Sequence, residues 1–278
     1  MPLSPSETTK LLERLNHRPK KKLGQNFLVD GNIVGKSISM ADLPEGMPVV
    51  EIGPGLGTLT KQLLEGNHPV FAVEIDESLF LNLQNTFSKF IESNQLNIIK
   101  GDAVKKPLAN LPLDIENFAV VANLPYAISS AWMEALLNTG QIPLRMVLML
   151  QREAVDRMNA EHCTKEYNAL TIFLKAAFKH TQTHMVPRQC FFPIPGIDSA
   201  LVKMDRLKNP FLFPKKDRTL IRQIFTQRRK QIGSLANKEE KQNKDRLNQW
   251  IEKLNLARNL RPEQIGPTEW QELVGIQA

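Results

Sequence analysis

Asn123-Leu124-Pro125-Tyr126 is the stretch of this 278-residue chain whose residue types and order suit one particular reaction. The exocyclic amine of a purine is a weak nucleophile because its lone pair is delocalised into the ring. Two acceptors set on its two N–H bonds would orient it and favour a tetrahedral nitrogen. The Asn123 side-chain oxygen and the carbonyl of the residue before or at Pro125 can supply them. Proline fixes its own φ and carries no competing N–H donor. The Tyr126 ring can stack on a base, worth about 1–3 kcal/mol per base, and the target must be unstacked or flipped to reach it. The structural alternative is that Asn-x-Pro is a common turn and Tyr126 caps a core.

Upstream, VVEIGPGLGTLT carries Gly53, Gly55 and Gly57 between a predicted strand and a predicted helix. Glycine lets the backbone turn sharply and approach a ligand with no Cβ in the way, and a helix start offers unpaired N–H groups. A dinucleotide turn needs GxGxxG, whereas the spacing here is GxGxG and position 58 is Thr. Lys61 does not stand at phosphate-loop spacing. Glu74, in VEID, comes 21 residues after Gly53, near where an acid meets a ribose in nucleotide-binding sheets; Asp76 is its rival. Asp102, in GDAV, could receive an adenine amino group. Glycine turn, Glu74 and Asp102 follow successive predicted strands, at the carboxyl ends where such sheets bind ligands, and together they read as a nucleoside site.

Positioning these residues requires a repeating frame. Apolar, β-rich runs recur at Val49–Ile52, Val70–Ile75, Leu96–Ile99, Phe118–Ala122 and Met146–Leu150. Helix-like segments lie between them at Leu59–Leu64, Leu79–Ile91 and Ala131–Leu137. Such alternation predicts βαβ units in an α/β, doubly wound, mostly parallel sheet. Helices at Arg152–Asn159 and Ala169–Phe178 and strands at His180–Val186 and Ala200–Met204 follow, with the turn FFPIPG between the strands. The expected division is a basic N-terminal arm over 1–22, holding a short helix near Glu7–Asn16 and then flexible, an α/β domain over 23–206, and a small all-helical domain over 207–278.

Charge is unevenly spread. The chain carries a net +7, yet Lys215–Arg261 alone holds 14 Lys or Arg against 5 Asp or Glu. A second cluster comprises Lys10, Arg14, Arg18, Lys20, Lys21 and Lys22. Concentrated positive charge suits phosphates, although a solvated helix face would look the same. No apolar run approaches the roughly 18 residues of a membrane span, and the first 22 residues have no apolar core of a secretory signal. Cys163 and Cys190 form no CxxC pair, which fits a reducing cytoplasm rather than a disulfide framework or zinc site. His17, His68, His162, His180 and His184 show no ligand spacing, so no metal is expected.

Eight motifs in order then resemble those of the rRNA adenine dimethyltransferases: KKKLGQNFL (Lys20–Leu28), EIGPGLG (Glu51–Gly57), VEID (Val73–Asp76), GDA (Gly101–Ala103), NLPY (Asn123–Tyr126), LMLQREAVDRM (Leu148–Met158), FFPIPGIDSALVKM (Phe191–Met204) and FTQRRK (Phe225–Lys230). The resemblance runs from about Lys20 to Lys230. It implies a class I methyltransferase (Rossmann-like) domain that uses S-adenosyl-L-methionine. Asn26 and Leu28 would enclose the cofactor. Gly53, Gly55 and Leu56 would line its methionine and ribose side, Glu74 would hold the ribose hydroxyls, Ile75 the adenine face, and Asp102 and Ala103 the adenine. Asn123, Leu124 and Pro125 would present acceptors to the target amine, with Asn123 also touching the cofactor, and Tyr126 and Phe191 would sandwich the target base. Lys20, Lys21, Lys22, Arg228, Arg229 and Lys230 would hold RNA. The family dimethylates N6 of two adjacent adenosines in the last hairpin of small-subunit rRNA during late assembly, so the implied partner is that rRNA within an immature 30S particle, met by a monomer in the cytoplasm with no membrane involved.

The chain departs from the family pattern at Ala127, Thr226, Gly233-Ser234, Ile194 and Gly196, on the RNA-contact side rather than at the methyl-transfer corner. Three rivals differ in what they demand. A methyltransferase for large-subunit rRNA, DNA or a protein amide would more often carry a second proline in the tetrapeptide. A non-catalytic assembly clamp would not need NLPY and the cofactor motifs intact. A nicotinamide dehydrogenase would need different glycine spacing.

Overall fold

Val49, Val50 and Ile52 are inaccessible to solvent on both faces of their strand, the state of a parallel strand covered by helices on each side. The computed structural model describes residues 4–276 and places this strand at the heart of a seven-stranded sheet. In chain order the first part comprises α1 (Pro5–Arg14), β1 (Phe27–Leu28), α2 (Gly31–Ala41), β2 (Val49–Ile52), α3 (Thr58–Glu65), β3 (Val70–Glu74), α4 (Glu77–Thr86), α5 (Ser88–Glu92), β4 (Leu96–Lys100), β5 (Ala119–Asn123), α6 (Ser129–Thr139) and β6 (Arg145–Gln151). There follow α7 (Arg152–Asn159), α8 (Ala169–Ala177), β7 (Phe178–Val186), β8 (Phe191–Phe192), β9 (Ser199–Arg206), α9 (Lys215–Thr226), α10 (Ile232–Ala236), α11 (Lys241–Lys253) and α12 (Pro267–Glu272).

The sheet runs β4-β3-β2-β5-β6-β9-β7. Strands β2 to β6 are mutually parallel, and β9 lies antiparallel to β6. The chain winds outward from β2 to β4, then returns to β5 on the other side of β2. That reversal opens a crevice at the carboxyl ends of β2 and β5, so the turns leaving these two strands become neighbours. The doubly wound sheet expected from the alternating pattern is what forms.

Two compact units divide the chain: residues up to 155 with 180–206, and residues 156–179 with 207 onward. The first holds the sheet. Its core joins Val49, Leu63, Ala72, Leu83 and Val121 from sheet and helices with Ile33, Val34, Met40 and Ala41 of α2. In the second, Trp250 and Trp270 stack with ring centroids 4.8 Å apart, and Phe225 packs on Trp270 at 5.8 Å. Beside them Arg246 Nη2 donates to the buried Asp217 Oδ1 at 2.6 Å. Residues 156–179, which include α8, group with the helical C-terminal residues rather than with the sheet that precedes them. No helix of the described residues is long and apolar enough to cross a membrane.

Three local features depart from the sequence pattern. Helix α2 was not expected because Gly31, Asn32, Gly35 and two serines dilute its propensity; its start is fixed by Asp30, whose side chain accepts from the N–H groups of Asn32 and Ile33. The single helix expected over Leu79–Ile91 is broken at Phe87, between α4 and α5. The segment after α1, expected to be flexible, is tied down: His17 Nδ1 bonds Ser78 Oγ at 2.7 Å and Nε2 bonds Gln25 Oε1 at 3.1 Å. Leu12 joins Phe27, Leu56 and Leu79 in a small apolar cluster.

Candidate active site

Leaving β2, the chain enters the turn Gly53–Gly57, where all three glycines have positive φ. Gly53 must be glycine twice over. Its φ is +64°, and a Cβ there would sit 3.1 Å from Cγ of Pro125. Its N–H still donates to the Val73 carbonyl at 3.0 Å, so the turn remains fastened to β3. Gly57 starts α3.

Glu74, the last residue of β3, braces that turn. It is 4% exposed; Oε2 accepts from the Gly55 N–H at 3.1 Å and Oε1 from the Asp76 N–H at 2.9 Å. Burial outweighs those bonds and raises its carboxyl above the usual range. Asp76, the rival acid, has another task. It caps α4 through the N–H groups of Ser78 and Leu79 and takes the Lys20 ammonium at 2.6 Å. Although burial opposes ionisation, the bonds from Lys20, Ser78 and Leu79 and the nearby His17 hold its carboxyl down at about 2.

Sequence reasoning missed Glu51. It stands inside the otherwise apolar β2 and is 2% exposed; its Oε2 accepts from Thr60 Oγ1 at 2.7 Å. Burial pushes its carboxyl up to about 8, the Glu74 charge adding to the effect. The signal was available: an acid within a wholly buried strand is costly and calls for a local reason.

Beyond β4, Asp102 Oδ1 accepts from the Val104 N–H at 2.9 Å. At the end of β5, Asn123 Nδ2 donates to the Asn26 carbonyl at 3.0 Å. That bond uses the donor half of the amide and leaves the oxygen as an acceptor. The Pro125 carbonyl accepts from Ile128 N–H at 3.1 Å. Tyr126 opens a short 3₁₀ turn, its hydroxyl lies 2.5 Å from Ser199 Oγ, and burial raises its phenol pKa.

These groups share one cavity of about 1060 Å³, open mouth included. Asn26, Leu28, Gly53, Gly55, Leu56, Glu74, Ile75, Asp102 and Ala103 all line it, as do Asn123, Leu124, Pro125 and Tyr126. Glu51 lines it too, whereas Asp76 does not. Phe191 is not brought there: it is 1% exposed and pairs with Leu28 across the β1–β8 ladder, embedded in the main core. Phe192 beside it is only half-buried.

The cationic residues separate by their partners. Lys20 is committed to Asp76, while Lys21 and Lys22 are exposed and Lys22 borders the cavity. In the second unit Arg228 pairs with Glu263 at 3.4 Å and donates to the Lys165 carbonyl at 2.5 Å. Arg229 and Lys230 are exposed.

A sheet of this order, with a glycine turn and an acid at successive carboxyl ends, defines the class I S-adenosylmethionine-dependent methyltransferases. Within that class, the sequence profile of the family "Ribosomal RNA adenine dimethylase" matches residues 16–268, and the chain belongs to that family. The Opitutus terrae protein named ribosomal RNA small subunit methyltransferase A is 46% identical over 98% of this chain and 98% of its own length. Its Anoxybacillus flavithermus namesake is 38% identical over 86% of this chain and 84% of its own. The crystal structure of a dimethyladenosine transferase from Plasmodium falciparum superposes with a TM-score of 0.72 at 26% identity, covering 89% of this chain and 98% of that one.

Proposed function

We propose that the chain transfers methyl groups from S-adenosylmethionine to N6 of adenosine in small-subunit rRNA, dimethylating two adjacent adenosines of the 3′-terminal hairpin, and that it acts as a cytoplasmic monomer on an immature 30S particle. The observation that carries this reading is the meeting of the Gly53–Gly57 turn and the Asn123–Tyr126 corner in one cavity, with the Asn123 amide held so that its oxygen remains an acceptor.

The cavity suits the cofactor. It holds two buried carboxyls, Glu51 and Glu74, each titrating above the usual range, which a cationic donor bearing an ammonium and a sulfonium would compensate. Ile75, 48% exposed, offers an apolar flank to a flat base, and Asp102 stands beside it on the lining. Bound there, the sulfonium supplies an already electrophilic methyl group.

What remains for the protein is placement, the kind of catalysis in which orientation alone removes much of a barrier. Asn123 Oδ1 accepts one N–H of the target amine. A main-chain carbonyl at Leu124 or Pro125 accepts the other, the Pro125 oxygen keeping a second lone pair beside its bond from Ile128. Tyr126 stacks on the base. The amine loses its proton to water after transfer, so no side chain with a shifted pKa is needed as a base. Lys21, Lys22, Arg229 and Lys230 contact phosphates; the helical unit, residues 156–179 with 207 onward, is the RNA-binding part, and the sheet-bearing unit is the catalytic part.

Asn123→Ala tests the corner. It should lose nearly all methyl transfer to small-subunit particles that lack the modification, a loss far larger than any drop in cofactor affinity read by calorimetry. Unchanged turnover would remove Asn123 from the mechanism. Mass mapping of the methylated particles identifies the modified nucleotides.

A further inference from the structure

Tyr126 is held at both ends, by residues outside the tetrapeptide. At its main chain, Ser129 Oγ donates to the Tyr126 carbonyl at 3.2 Å. Gly24, in a left-handed conformation, approaches so closely that a Cβ there would lie 3.3 Å from the Tyr126 nitrogen. At its tip, the hydroxyl lies 2.5 Å from Oγ of Ser199, a residue with no solvent exposure that opens β9 and stands opposite Gln151 of β6 in the antiparallel ladder.

We propose that Ser199 is a positioning residue for methyl transfer, fixing the Tyr126 ring through its hydroxyl in the orientation that stacks on the target adenine. The inference rests on Tyr126 being the base platform. A stacking ring must present its face at a set angle, and a tyrosine tethered only at its backbone can swing about χ1 and χ2. The Ser199 tether removes that freedom. Its anchor sits on a paired sheet strand rather than on the Pro-rich loop, and rigid elements hold a functional geometry better than loops do. With burial raising its pKa, the phenol keeps its proton at working pH, so the bond joins two neutral hydroxyls and either can be the donor. Removing Ser199 Oγ would leave the phenol without this partner in a largely buried place. The ring would then gain by turning toward water.

The test is a double-mutant cycle of Ser199→Ala and Tyr126→Phe, with Tyr126→Ala alongside. It reads single-turnover and steady-state methyl transfer to unmodified small-subunit particles, cofactor affinity and thermal stability. Each single variant should lose about tenfold in kcat, as expected for one orienting hydrogen bond, with KM and cofactor affinity within about twofold of the parent. The double variant should be no slower than either single one, because both changes remove the same bond. Parent-level turnover in both single variants, or losses that multiply in the double, would overturn the proposal. Should Ser199→Ala fail to fold, Tyr126→Phe alone decides: a kcat loss with KM kept supports the tether, and full turnover refutes it. Tyr126→Ala separates this inference from the one beneath it. If it turns over normally, Tyr126 is no platform and both fall; if it is inactive while Ser199→Ala and Tyr126→Phe are normal, only the tether falls.

Discussion

Glu51 gives the sharpest physical handle on the site, and Glu51→Gln is the perturbation. The carboxyl has an ordinary value of 4.5 in an unfolded chain and titrates at about 8 in the fold, chiefly through burial. The folded state therefore keeps a proton that the unfolded state releases. Its stabilising contribution is fully present below pH 4.5 and is lost as pH rises toward 8. At about 1.4 kcal/mol per pH unit, the loss by pH 7 is roughly 3 kcal/mol. Glutamine keeps an acceptor for Thr60 Oγ1 and does not titrate. The ligand-free variant should match the parent at pH 4 and unfold roughly 6–10 °C higher near pH 7.5, read by scanning calorimetry at the two values. The same substitution should weaken binding of the cationic cofactor, because the parent gains a carboxylate opposite it by giving up a proton. Binding enthalpies measured near pH 7 in buffers of different ionisation heat should accordingly differ more for the parent than for the variant, which keeps only Glu74 as a raised carboxyl in the cavity. A melting difference that is the same at both pH values, or cofactor enthalpies that ignore the buffer, would refute the assignment of a protonated Glu51 to the free protein.

Asp76→Asn should destabilise the first unit by about 1–3 kcal/mol, since the half-buried Ser78 and buried Leu79 N–H groups and the Lys20 ammonium lose a charged partner; faster hydrogen exchange over residues 17–28 would be its mark. Because the Asp76 carboxyl is held near 2, its stabilising effect is present above the ordinary 3.8 and fades as pH falls through about 2, so the parent–variant gap should persist at pH 4 and shrink toward pH 2. In RNA binding, neutralising Arg229 and Lys230 together should reduce the magnitude of the salt slope by about two with the fold intact. Arg228→Ala should instead lower the melting temperature of the second unit, since its guanidinium serves Glu263 and the Lys165 carbonyl.

What could be read from the sequence followed from repetition and from backbone demands. Buried parallel strands announce themselves as continuous apolar runs, and β2 falls on the expected Val49–Ile52. Positions 53, 55 and 57 needed glycine for conformational reasons that no tertiary context could alter, and NLPY combined a rigid turn with an acceptor and a ring. Side-chain commitments were not legible. Nothing in KKKLGQNFL says that Lys20 faces a buried carboxylate 56 residues later, because that pairing depends on how α1 and the segment after it lie across α4. Phe191 shows the same limit: two adjacent phenylalanines on a two-residue strand face opposite ways, and pairing with β1 decided which one entered the core. The distribution of residues 156–179 is equally a matter of tertiary packing, since their composition resembles that of the helices before them.

The contact between Pro125 and Gly53 has an architectural consequence. With the proline ring 3.1 Å from where a Cβ at Gly53 would stand, the gap between the turn after β2 and the turn after β5 is set by main-chain thickness and one ring. A methyl added at Gly53 would press on that ring at 3.1 Å, so a change on one side is felt on the other. The two segments are thus mechanically coupled, separated by some seventy residues of chain and by almost no space.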